Sequence, residues 1–92
     1  MKDSEILENL VELAEKLRLK VIFDNFEGKG GFCKVRGKEK IILNDSLPKR
    51  EKIKILAQEL SKYSLENIYL LPKIREIIEA AKANTTNTTK SQ

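Results

Sequence analysis

Gln58, Glu59 and Lys62 stand together in the stretch Ile55 to Tyr63, where a carboxylate lies between an amide and an ammonium. On a helix, residues four apart share one face, so Gln58 and Lys62 would bracket the Glu59 carboxylate. A glutamate in such a frame can activate water when a metal or a second acid–base group faces it. Neither neighbour supplies one, because an ammonium has no lone pair and an amide is a weak zinc ligand. The chain has no histidine, which removes the commonest general base and zinc ligand and any Ser-His or Cys-His pair. Cys33 is the sole cysteine, so an intramolecular disulfide and a cysteine-cluster metal site are excluded. It reads as a small core residue. Glu27-Gly28-Lys29-Gly30-Gly31 lacks the spacing of a phosphate loop and precedes a strand-like segment, which predicts a turn or bulge. No catalytic residue, metal or cofactor is assigned, and the chain is not expected to be an enzyme.

The second chemistry available is attraction to phosphate. Lys34, Arg36, Lys38, Lys40, Lys49, Arg50, Lys52 and Lys54 form a basic ribbon in which only Glu39, Asp45 and Glu51 are acidic. Phe32 could add a stacking face, and phosphate contacts would make binding depend steeply on salt. The competing reading is an edge strand protected from pairing by its lysines. The net charge of +4 decides nothing by itself, and the N-terminal segment is acidic through Asp3, Glu5, Glu8, Glu12 and Glu15.

The elements that must carry these groups follow from apolar spacing. Ile6, Leu10, Leu13 and Leu17, with Leu7, Val11 and Ala14 beside them, predict a helix from Ser4 to Leu17 capped by Asp3 or Ser4. Leu19, Val21 and Phe23 alternate with Lys20, Ile22 and Asp24, which predicts a strand over Leu19 to Phe26. Phe32 to Arg36 is a second strand, joined through the turn Arg36-Gly37-Lys38-Glu39 to a third over Lys40 to Asn44. Read in order, these make a three-stranded antiparallel meander. Asn44 to Pro48 then opens a helix whose inward stripe is Ile53, Leu56, Ala57, Leu60 and Tyr63.

That stripe leaves Gln58 and Lys62 outward, with Glu59 on the flank near Lys62. Ile55 is apolar on the same outward side and, with Phe26 and Phe32, is a candidate interface residue. After a short turn over Leu65 to Tyr69, Leu71-Pro72 opens a last helix with Ile74, Ile77, Ile78 and Ala81 on one face. Residues Asn84 to Gln92 offer nothing apolar to bury and predict a disordered polar tail. The 92 residues thus predict one α+β domain over 1–83: an N-terminal helix, the meander and two C-terminal helices.

The order of helix, strand, hairpin and Ile41-Ile42-Leu43-Asn44, followed by Ile55-Leu56-Ala57-Gln58-Glu59-Leu60-Ser61-Lys62-Tyr63, resembles the small gluzincin metallopeptidases of the ImmA/IrrE type. The likeness spans Leu19 to Tyr63. In that family the helix bears His-Glu-x-x-His, whose histidines bind zinc while the glutamate activates water. Gln58 and Lys62 stand at the histidine positions here and Glu59 at that of the glutamate. The resemblance therefore implies a relative that keeps a zincin-like scaffold as a pseudoenzyme. The chain is also similar to short bacterial proteins with endings like Leu65-Glu66-Asn67-Ile68-Tyr69 and Pro72-x-x-Arg75-Glu76.

No apolar run approaches the ~18 residues of a membrane span, and the acidic N-terminus does not resemble a signal peptide, so a cytoplasmic location is expected. The function expected is binding of a protein partner, or of a second copy as a homodimer. The alternative is nucleic acid or another polyanion held along residues 29–54.

Overall fold

The computed structural model describes the backbone of residues 1–28 and 30–90 and the side chains of 1–28 and 36–83. Six elements follow one another: α1 (Asp3–Lys16), β1 (Lys20–Asp24), β2 (Gly30–Val35), β3 (Lys38–Asn44), α2 (Lys49–Leu60) and α3 (Pro72–Lys90). The strands form one sheet in the order β1-β3-β2. β3 is antiparallel to β2 and parallel to β1, with Lys20 opposite Lys40 and Asp24 opposite Asn44. The expected antiparallel meander is therefore corrected to a mixed sheet whose last strand is central.

Physical reasons for that order are visible in the side chains. Ile41 and Leu43 are wholly buried, whereas every residue of β1 retains some exposure. β3 takes the middle, where Ile41 and Leu43 gain neighbours on both edges, although Val21-Ile22-Phe23 of β1 is an apolar run of the same length. To put β3 there, the segment after β1 has to cross the end of the sheet before β2 begins. The Asn44 side-chain amide holds that crossing by donating to the carbonyls of Phe26 and Gly28, both at 2.8 Å. Gly30 completes it with φ of 111°, where a Cβ would lie 2.0 Å from the Ile42 carbonyl oxygen.

The hairpin expected between β2 and β3 is present. Its two turn residues, Arg36 and Gly37, both have positive φ (52° and 77°), the geometry that matches strand twist in tight hairpins.

α1 packs against β1 and α2 against β2 and β3, while α1 and α2 also pack on each other. α3 lies behind these two helices and touches no strand among the described residues. The core is thus a seam of Ile6, Leu10 and Leu13 from α1, Ile41 and Leu43 from β3, Leu56 and Leu60 from α2, and Ile74 and Ile78 from α3. Leu19 joins it from the turn before β1. Lys2, not Asp3 or Ser4, occupies the N-cap of α1 and makes no side-chain cap. Asp3 is instead the first helical residue and pairs with Arg50 at 3.4 Å. Ala81 is the last buried residue of α3 among the described side chains, and the helical backbone continues to Lys90.

Candidate functional site

α2 does not gather Gln58, Glu59 and Lys62 into one site. Glu59 is on the side of α2 nearest Tyr63, its side chain 15% exposed and paired with the Lys62 ammonium at 3.4 Å. Next to it the Tyr63 hydroxyl donates to the Glu39 carboxylate of β3 at 3.1 Å. Burial, followed by the hydrogen bond to Glu39 and the negative charges of Glu39 and Glu59, raises the Tyr63 phenol above its ordinary 10.0. Gln58 lies around the helix from this cluster. It lines a groove of about 460 Å³ between α1, α2 and α3 with Ile6, Ile53, Ile77 and Lys73. It is half-buried there, unlike the solvated residue expected. Lys62 is exposed, as the apolar stripe implies. The carboxylate is thus paired with an ammonium, while the amide lines the groove between α1, α2 and α3.

Among the described residues, no group of three or more carboxylates or thiols lies close enough to hold a metal ion. No helix there is long and apolar enough to cross a membrane.

The basic ribbon is divided by the fold. Arg36 and Lys38 lie at the hairpin end of β3, whereas Lys49, Arg50, Lys52 and Lys54 follow its other end. Seven residues of strand at about 3.3 Å each keep these groups roughly 20 Å apart. Several cations are also committed locally. Arg50 pairs with Asp3, and Lys52 pairs with Asp45 at 3.0 Å while its Nζ sits 5.5 Å from the Phe23 ring centroid. At the hairpin end the fold adds two cations that the ribbon did not include. Arg18 and Lys20 join Lys38 and Lys40 around one shallow hollow that also contains Glu39. The parallel pairing of Lys20 with Lys40 makes this cluster, and linear spacing gives no hint of it.

Of the candidate interface residues, Ile55 is packed against the core cluster and partly exposed. Phe26 is 38% exposed on the crossing loop. The side chains of Phe32, Cys33 and Lys34 lie outside the described residues. Apolar exposure that the sequence reading missed is found at β1. Phe23 is 38% exposed although it shares the helix-bearing face with Val21. Beside it Leu7 and Val11, on the flank of α1, line an open groove of about 510 Å³. The alternation of β1 was legible, and an edge position was the missing fact. Ile22 and Ile42 pair side by side on the opposite face, which no helix covers among the described residues. Comparison of the chain with protein-family models, with curated proteins and with solved structures gives no match.

Proposed function

We propose that this chain is a non-catalytic, cytoplasmic interaction domain that associates with a second copy of itself on a zincin-like scaffold. The observation that carries the reading is the free edge of the sheet. There β1 leaves Phe23 exposed next to half-buried Leu7 and Val11. An edge strand with partly exposed apolar side chains is a surface that strand-to-strand association can cover. The non-catalytic part of the proposal is supported by the ammonium of Lys62 on Glu59, with Gln58 in the groove between the helices. Sedimentation of the purified chain over a wide concentration series tests the reading. A mass that rises to twice the monomer is expected, and a monomer at every concentration would remove the proposal.

A second reading has its own observation, the hollow shared by Arg18, Lys20, Lys38 and Lys40. Four cations in one depression suit a polyanion such as a nucleic-acid backbone, with affinity that falls as salt rises. Anisotropy of labelled single- and double-stranded oligonucleotides at low salt tests it. No change with either would dismiss that reading.

A further inference from the structure

We propose that two copies of this chain join through β1, antiparallel about a two-fold axis at Ile22, to make one continuous sheet across the pair. This rests on the self-association reading above and names its surface. Three independent features of Lys20-Val21-Ile22-Phe23-Asp24 agree on that register.

The first is charge. The strand reads the same in chemical type from either end when one end is exchanged for its opposite charge. Reversed and centred on Ile22, it sets Lys20 opposite the partner's Asp24, Val21 opposite the partner's Phe23, and Ile22 opposite its own copy. Both ends of the seam then join opposite charges, and within β1 no like charges face each other.

The second is the backbone. The Asp45 amide donates to the Asp24 carbonyl at 2.9 Å, so Asp24 turns its peptide groups toward β3. Alternation along a parallel ladder makes Ile22 and Lys20 do the same. Val21 and Phe23 therefore turn their N–H and C=O groups to the free edge. Those two residues are the ones that the two-fold register sets opposite each other as hydrogen-bonded pairs. Ile22 falls on the axis as the close, non-hydrogen-bonded pair, which needs no outward amide.

The third is the unfilled apolar surface. Phe23, exposed in a single copy, meets the partner's Val21 on the helix-bearing face, next to the groove where Leu7 and Val11 alternate with Glu8, Glu12 and Lys49. Ile22 meets its counterpart on the open face. Nothing in β1 blocks approach: it has no proline and no positive-φ residue. The opposite edge differs, since β2 begins at Gly30 with φ of 111°.

Charge exchange tests the seam in the full chain, because Lys20 and Asp24 are exposed and their replacement leaves the core untouched. Lys20→Asp and Asp24→Lys are each made singly and together, and mass is followed by sedimentation. Either single change puts like charges at both ends of the seam and is expected to weaken dimerisation at least about tenfold. An equimolar mixture of the two single variants restores opposite charges at every position and should dimerise again, as should the double variant. Recovery on mixing also shows that both singles fold. A wild-type dimer retained by both singles, with no effect of mixing, would overturn the β1 seam and leave self-association through another surface. A wild type that stays monomeric would overturn the seam and the self-association reading together, leaving that edge to a strand of a different protein.

Discussion

The side-chain amide of Asn44, at the end of the central strand, donates to the Gly28 carbonyl at 2.8 Å, and the same nitrogen reaches the Phe26 carbonyl. One side chain from the third strand thus ties down the loop that left the first. Its own carbonyl accepts the Ser46 amide at 3.0 Å, so both halves of the group are engaged.

Replacing Asn44 separates these roles. Asn44→Asp keeps the acceptor for Ser46 but points a carboxylate at two carbonyls. It should cost about 2 kcal/mol at neutral pH, more than Asn44→Ala at about 1 kcal/mol, because a charged acceptor without a donor is worse than a gap. Urea unfolding midpoints of the two variants check the order, and a less harmful aspartate would contradict the role given to the amide.

Gly30 is a steric requirement as well as a conformational one. Gly30→Ala forces a methyl to 2.0 Å from the Ile42 carbonyl oxygen, so β2 or β3 must shift. The expected loss is about 3 kcal/mol or more, against about 1 kcal/mol for Gly28→Ala, where φ is also positive but nothing lies within 4 Å. Thermal unfolding of the pair distinguishes them.

Arg18 stands where helices usually end in glycine. Its φ is 63°, and the Leu19 amide closes back on the Ala14 carbonyl at 2.9 Å behind it. Arg18→Gly should therefore raise stability, by about 0.5–1 kcal/mol once the greater freedom of glycine in the unfolded chain is set against the relieved strain. Calorimetry gives the sign, and a loss would mean that the arginine side chain contributes more than its backbone costs.

Tyr63 makes stability fall at high pH. Its phenol titrates above the ordinary 10.0 because burial, Glu39 and Glu59 disfavour the phenolate. A raised folded value means that the contribution is complete below pH 10.0 and is lost as pH climbs through the folded value. Tyr63→Phe should cost about 1 kcal/mol at neutral pH through the lost hydrogen bond. It should also flatten the decline above pH 10.0, which stability measured against pH in both proteins would reveal.

The helices were legible from the chain alone because each buries a stripe that recurs at its own period. Ile6, Leu10 and Leu13 in α1, and Ile53, Leu56 and Leu60 in α2, are buried where spacing placed them. The strands and the Arg36-Gly37 hairpin were legible for the same local reason. Strand order was not, because pairing depends on contacts between segments far apart in sequence, and alternation along a strand is the same in a meander as in a mixed sheet. Apolar content gave no sign either, because Val21-Ile22-Phe23 and Ile41-Ile42-Leu43 are runs of equal length.

The chemistry of α2 divides in the same way. Composition alone removed histidine-based catalysis and an intramolecular disulfide, since no fold can supply a histidine or a second cysteine that the chain lacks. Only the tertiary structure put Gln58 in the groove between the helices and Glu59 against Lys62, split the basic ribbon and brought Arg18 and Lys20 beside Lys38 and Lys40. It also made Lys20 to Asp24 an edge. The residues of β1 carry their charge and apolar pattern wherever they lie, but whether that pattern is covered or offered to a partner is decided by which strand takes the middle of the sheet.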